Sequence, residues 1–321
     1  MRYVKLGDVD TSVIGLGAWQ IGATSWGWGT EFNSDDVPRL LDAAWSAGIN
    51  LIDTAEIYGK GESETQLGHY LQKGEYNFLL ASKVSPWNLN TGAVYDAAKR
   101  SLHRLQQPSI DLYQVHVPNP FIPLRKTMEG MRKLLDEGTI SNVGVSNFSL
   151  SRWEQAEQAL GGQVLTNQVE FNLLRPKAFR RLQPMLTDGR VLIAYSPLGM
   201  GILSGKYGFA HKPSGSRAAH PEFNRRNYRN IRPILELLHK IGKAHMATMS
   251  QIALAWVVSH PNVIAIPGAK TVAQVRDNAE AASIQLTKTE LSALTEVSSS
   301  YHAALHIPRP FEIIKWLLRS S

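Results

Sequence analysis

Four residues able to take up or release protons stand within the first part of the chain: Asp53, Tyr58, Lys83 and His116. The stretch Asn50 to Gly59, Asn-Leu-Ile-Asp-Thr-Ala-Glu-Ile-Tyr-Gly, reads as a short buried strand that delivers Asp53 at its C-terminal end, then a loop that carries Tyr58. A second apolar run ends in Ser82-Lys83, and a third, Ile110 to Val115, ends in His116. A free phenol titrates near pH ~10, too high for efficient proton transfer at neutrality unless its surroundings tune it. A buried ammonium beside the phenol stabilises phenolate, and a carboxylate beside the ammonium keeps it protonated and in place. Taken singly, each residue has a plainer reading: a packed Tyr with its hydroxyl satisfied, a snorkelling Lys, a structural His, an Asp53-Thr54 turn. Their shared position at or just beyond three strand ends links them, because in a parallel barrel those ends open on one face.

The elements that would hold such a face are legible in the pattern. After a short hairpin, Tyr3 to Leu6, Gly7-Asp8 and Val9 to Ile14, the chain repeats strand-then-helix units. Eight strands are expected near Gly15–Gly17, Asn50–Asp53, Phe78–Ser82, Ile110–Val115, Val143–Ser146, Thr166–Val169, Val191–Tyr195 and Val263–Ile266. Val37, Leu40, Leu41 and Ala44, and likewise Met128, Met131, Leu134 and Leu135, recur at helical spacing as core stripes. Asn33-Ser34-Asp35, Ser63-Glu64 and Ser149 mark helix starts, and Gly48 and Gly138 sit where C-terminal caps belong. The expected fold is an α/β (β/α)8 TIM barrel with an N-terminal β-hairpin, one domain over residues 1–321. The long irregular segment from Gly199 to about Arg229 precedes a helix from Ile231 to His245. A helix around Val272 to Ala281 follows the last strand, and then a tail with Phe311, Ile314, Leu317 and Leu318 at helical spacing, set to pack on the barrel mouth or a partner subunit.

Composition narrows the function classes. The 321 residues are 43% hydrophobic, enough for a large core, and no apolar stretch approaches the length of a membrane span. No secretory leader is apparent and there is no cysteine, which excludes disulfides and thiolate chemistry and suits a cytoplasmic protein. The net charge of +7 favours anionic ligands such as a phosphorylated dinucleotide. Nucleic acid is not indicated, because the basic residues are dispersed and the densest group, Arg225, Arg226, Arg229 and Arg232, accompanies no recognition motif. The histidines form no ligand cluster, and His302 and His306 lack an acidic third partner, so no metal is expected. No Gly-x-Gly-x-x-Gly turn follows a strand, so a doubly wound dinucleotide fold is not supported.

In type, order and spacing, Asp53, Tyr58, Lys83 and His116 resemble the catalytic tetrad of the aldo-keto reductases. Further matches run from Gly15-Leu16-Gly17 through Gly144-Val-Ser146-Asn147-Phe148, Asn167-Gln168, Tyr195-Ser196-Pro197-Leu198 and Ile266-Pro267-Gly268 to Asn278. The branch most similar is the one that contains bacterial general stress reductases and potassium-channel β-subunits. The resemblance implies NADPH-dependent reduction of aldehydes or ketones, with NADH less suited. It implies Tyr58 as general acid, set by Lys83 and Asp53, and His116 orienting the substrate oxygen. By position, Ser146, Asn147 and Gln168 would bind the nicotinamide carboxamide, and Tyr195 would stack on the ring, with Trp19 also at the cofactor. Ser196, Pro197, Leu198 and Gly201, with Lys206, would line the pyrophosphate path. Gly268, Lys270, Gln274, Asp277 and Asn278 correspond to the adenosine-phosphate clamp, with Arg217 assisting Lys270 at the 2′-phosphate. The family also implies that the hairpin closes the barrel bottom and the long loop covers the cofactor.

This chain departs from some members. Asn119 follows Pro118 where many have Asp, and neither a Lys directly after Pro267 nor an Arg at position 274 is present. Trp26 and Trp87, with Trp28 among the loop tryptophans, point to an apolar or aromatic-lined pocket for a small carbonyl substrate. No pair of arginines stands out as a carboxylate binder. A homo-oligomer is compatible with this reading. The alternatives are a cofactor-binding, redox-sensing regulatory subunit of the channel β-subunit type, or Schiff-base chemistry at Lys83.

Overall fold

Period-two alternation decides where each strand residue points, and on the barrel strands it sorts the inward positions into two layers. The computed structural model describes residues 1–72, 76–208, 211–213, 217–218 and 220–303. A hairpin of β1 (Tyr3–Leu6) and β2 (Val9–Ser12) turns at Gly7, whose φ of 58° suits a residue without a Cβ. Then come the parallel strands β3 (Leu16–Gly17), β4 (Leu51–Asp53), β5 (Leu79–Val84), β6 (Ile110–Val115), β7 (Ile140–Ser146), β8 (Thr166–Glu170), β9 (Val191–Tyr195) and β10 (Val263–Ala265). They pair in the order β10-β9-β8-β7-β6-β5-β4-β3, and parallel bridges Ile14↔Ala265 and Gly17↔Gly268 join the two ends. The architecture is therefore the (β/α)8 barrel expected, with its hairpin.

The lower inward layer is apolar: Leu51, Ala81, Leu112, Val191, Ile193 and Ile264 pack with Leu6 of the hairpin, which stoppers the N-terminal end of the barrel. Two residues further along the same strands the inward positions are polar, giving Asp53, Lys83, Gln114 and Tyr195. The pairing Lys83↔Gln114, Gln114↔Gly144 and Ser146↔Gln168 sets these on one level around the C-terminal opening. Gly144 makes room for that layer, because a Cβ there would stand 2.8 Å from Cγ of Gln114.

Outside lie α1 (Val37–Ser46), α2 (Glu62–Leu71), α3 (Thr91–Leu105), α4 (Leu124–Asp136), α5 (Leu150–Leu160), α6 (Lys177–Leu182), α7 (Arg225–His245), α8 (Met249–Val258), α9 (Val272–Glu280) and α10 (Lys288–Ser300). The stripe residues Val37, Leu40, Leu41 and Ala44 of α1 and Met128, Met131 and Leu134 of α4 are buried. Each such side chain contributes about 1.5–3 kcal/mol by leaving water. Helix α7 starts at Arg225, six residues before the start expected at Ile231, because Asn224 accepts hydrogen bonds from the Arg226 and Asn227 backbone as its N-cap. Arg225, Arg226, Arg229 and Arg232 thus belong to a helix rather than to the loop. Within the segment from Gly199, short 3-10 helices form at Gly199–Ser204, kinked at Met200 and Gly201, and at Pro221–Phe223. The tail residues Phe311, Ile314, Leu317 and Leu318, and His306, lie outside the described residues.

Candidate active site at the barrel mouth

Lys83 is the centre of the polar layer. Its side chain is wholly buried, and its ammonium donates to Asp53 Oδ1 at 2.6 Å, to the Thr54 carbonyl at 2.7 Å and to the Tyr58 hydroxyl oxygen at 3.2 Å. An ammonium has three protons and no acceptor, so these contacts use its full capacity. It follows that the Tyr58 oxygen accepts from Lys83 and that the phenol's own proton is directed away from the ammonium. Asp53 is braced from the other side, where its Oδ2 accepts from Gln168 Nε2 at 2.7 Å and from Gln114 Nε2 at 3.2 Å. The His116 ring meets Tyr58 edge-on, with centroids 5.6 Å apart. All four expected residues are buried and within one cluster.

Burial also sets the protonation states. It pushes the Tyr58 phenol well above its ordinary value, and Asp53 and Tyr195 push the same way. Tyr58 is therefore the protonated acid at neutral pH, and not the phenolate that an adjacent ammonium on its own would favour. Lys83 is drawn below its usual value by burial, against the opposing attraction of Asp53. His116 is held well below the imidazole range, first by burial and then by Lys83, so it is a neutral ring at physiological pH.

Beside the tetrad, Ser146 Oγ donates to the Gln168 carbonyl at 2.8 Å, Asn147 Nδ2 donates to Ser146 Oγ at 2.9 Å, and the Tyr195 hydroxyl donates to Asn147 Oδ1 at 3.1 Å. Asn147 and Ser196 adopt left-handed backbone, at φ 62° and 47°, as the strands turn out into their loops. Trp19 lies 6.4 Å from the Tyr58 ring and 4.5 Å from Trp26. Trp87 is 54% exposed and lines a cavity of about 1460 Å³ together with Asn147, Val117, Asn119 and Phe121.

The cations matched by resemblance to the cofactor's phosphates lie against Trp26, Tyr207 and Glu31. The Arg217 guanidinium covers the Trp26 ring at 4.4 Å, and its Nε is buried with no hydrogen-bond partner among the described residues. Lys270 Nζ contacts Glu31 Oε2 at 2.6 Å, and the Lys270 backbone N–H donates to Gln274 Oε1 at 2.8 Å. Lys206 is exposed and leans toward the Tyr207 ring. Pro197 is buried, while Leu198 accepts through its carbonyl from the Gly201 backbone N–H, and Gly201 has a φ of 95°. Gly268 packs directly on Gln20, where a Cβ would stand 2.7 Å from Oε1. Asp277 accepts from Thr248 at 3.3 Å, and Asn278 is buried on the same helix.

Three further residues take part in the site. Gln114 and Gln20 are buried amides that tie Asp53 and the β3–β10 seam, and Glu31 is the partner of Lys270. Gln114 was available to pattern reading, since alternation along Ile110–Val115 sends it inward with Leu112.

A sequence model of the aldo/keto reductase family matches residues 13–299. The chain belongs to the aldo-keto reductase family. An uncharacterized oxidoreductase of Mycobacterium tuberculosis is 42% identical over 303 residues, covering 94% of each chain. The chloroplastic pyridoxal reductase of Arabidopsis thaliana is 32% identical, over 89% of this chain and 83% of that one. Among solved structures, a Klebsiella pneumoniae aldo-keto reductase in complex with NADPH superposes with a TM-score of 0.73 at 30% identity, covering 92% of this chain and 95% of that one. This aldo-keto reductase is accordingly an NAD(P)H-dependent oxidoreductase. Its residues suit such a cofactor: the cations Lys206, Arg217 and Lys270 fit phosphates, Arg217 Nε has no acceptor among the described residues, and Ser146, Asn147 and Tyr195 offer a polar edge and a ring beside Tyr58.

Proposed function

We propose that one barrel domain reduces aldehydes or ketones to alcohols with NADPH, with Tyr58 as the proton donor. Bound NADPH would supply hydride to the carbonyl carbon. The proton comes from the Tyr58 hydroxyl to the carbonyl oxygen as that oxygen gains charge, leaving an alcohol. The observation that carries this reading is the threefold donation of Lys83 to Asp53, Thr54 and Tyr58, which holds the phenol oxygen as an acceptor and aims its proton outward. His116, kept neutral by burial, has its ring beside Tyr58 where it would orient the substrate oxygen. Ser146 and Asn147 would bind the carboxamide with the Gln168 amide, whose nitrogen already braces Asp53, and Tyr195 would pack on the ring.

Ser196, Pro197, Leu198, Gly201 and Lys206 would follow the pyrophosphate, with Trp19 also at the cofactor and Gly268 in the adenosine-phosphate clamp. Gln274, Asp277 and Asn278 would meet the adenosine, and Lys270 with Arg217 would meet the 2′-phosphate, which is the basis for preferring NADPH to NADH. Trp26 and Trp87 would contact a substrate with an apolar or aromatic body.

Titration of tryptophan fluorescence with NADPH and with NADH, followed by addition of a panel of aldehydes in the same cuvette, tests the proposal. Tighter NADPH binding and rapid, repeated cofactor oxidation are expected. Binding without sustained oxidation by any aldehyde or ketone would overturn it.

A further inference from the structure

The carboxylate of Glu31 lies where the reading above places a phosphate. Lys270 is only 14% exposed, fixed at its backbone by Gln274 and followed by Thr271, the N-cap of α9. Its ammonium points to Glu31, which is 62% exposed and reaches in from a different loop, the one between β3 and α1. That loop is built to aim the side chain. The Gly27 carbonyl accepts from the Glu31 backbone N–H at 2.7 Å, and Gly27 itself sits at φ 91°. A Cβ at Gly27 would stand 2.8 Å from the Glu31 carboxyl carbon, so glycine there leaves the space that the carboxylate uses. Phe32 packs edge-on against Trp28, fixing the loop from behind. Arg217 and Lys206 add to the attraction that holds Glu31 ionised.

Lys270 thus pairs directly with a carboxylate that belongs to the protein, and Arg217 and Lys206 act on it from further away. A 2′-phosphate brings roughly two negative charges and needs the same cations. Phosphate and carboxylate cannot both hold Lys270 without placing like charges side by side. We infer that Glu31 is an internal competitor for the 2′-phosphate, a specificity-determining residue that weakens binding of the phosphorylated dinucleotide relative to its unphosphorylated counterpart. This rests on the assignment of Lys270 to the 2′-phosphate. The strength of a half-exposed pair bounds the effect to about two- to fivefold in affinity.

Calorimetric titration of the wild type, Glu31→Gln and Lys270→Ala with NADPH, NADH, 2′,5′-ADP and 5′-AMP decides the matter. Glu31→Gln is expected to bind NADPH and 2′,5′-ADP about two- to fivefold more tightly, with NADH and 5′-AMP unchanged. Weaker or unchanged binding of the 2′-phosphorylated ligands, or equal tightening of all four, would overturn the inference. The underlying assignment is read separately: Lys270→Ala must lose the preference for 2′,5′-ADP over 5′-AMP. If it does while Glu31→Gln changes nothing, only the role of Glu31 falls; if the wild type has no such preference, the phosphate assignment falls with it.

Discussion

Tyr58 takes a hydrogen bond from Lys83 and keeps its own proton for another partner, so a phenylalanine in its place should preserve the ring packing against His116 while removing the acid. Positioned general acids contribute about 10²–10⁴-fold, and Tyr58→Phe is expected to lose turnover on that scale. Fluorescence titration should find NADPH binding within about twofold of wild type; a mutant with most of the wild-type rate would remove Tyr58 from the proton-donor role. His116 carries a consequence for stability. Its folded pKa lies below the ordinary 6.5, so in the acid range the unfolded chain binds a proton that the folded chain refuses. Stability is then fully present above about pH 6.5 and is lost as pH falls from there toward the folded value, with a slope of at most about 1.4 kcal/mol per pH unit from this group. Urea unfolding from neutral to mildly acid pH should record that decline, and His116→Gln should flatten it.

At the level of elements, helices and strands meet where glycine permits close approach. Gly68 of α2 lies on the end of α3, and a Cβ there would fall inside the contact distance of the Arg104 and Leu105 carbonyl groups, which are backbone and cannot swing away. Gly68→Ala should destabilise the protein by about 1–3 kcal/mol, as a lowered thermal midpoint, without altering the KM of the molecules that remain folded. The strands were legible as short apolar runs, because in a parallel barrel both faces of each strand are covered, and the polar residues that end those runs, Asp53, Lys83 and His116, mark the level of the site. Helices α3, α6, α8 and α10 have no counterpart among the sequence expectations, although α8 and α10 each begin with a reciprocal cap: Thr248 with Gln251, and Thr287 with Glu290. Helix α8 is apolar nearly all round and lacks the stripe that marked α1 and α4. The Glu31–Lys270 pair had no local signal, since its partners are 239 positions apart and meet only when the barrel closes. Nor could the sequence tell which way Tyr58 is shifted, because the answer turns on how completely the phenol is buried.

Across the whole molecule the excess of +7 is not spread evenly with respect to the mouth. The cavity that begins at Asn147 and Trp87 is lined by Arg152, Arg175, Lys177 and Arg181, and by no Asp or Glu among the described residues. Arg175 is already engaged by Glu222 and Glu170, but Arg152 forms no ion pair with a carboxylate among the described residues, and its Nε is buried without a hydrogen-bond partner. A low-dielectric cleft with one sign of charge concentrates ligands of the other sign, and the gain is screened by salt over about 10 Å at 0.1 M. An aldehyde bearing a carboxylate should therefore be a better substrate than its neutral ester at low ionic strength. We expect kcat/KM for para-carboxybenzaldehyde to fall about threefold or more between roughly 20 mM and roughly 500 mM sodium chloride, while its methyl ester changes little. Arg152→Gln should reduce that salt dependence through KM rather than kcat, with Lys177 and Arg181 carrying the remainder, because the guanidinium acts on encounter and binding rather than on the proton held at the Lys83–Tyr58 contact. Equal salt profiles for acid and ester would mean that the cations along the cavity are neutralised before substrate arrives.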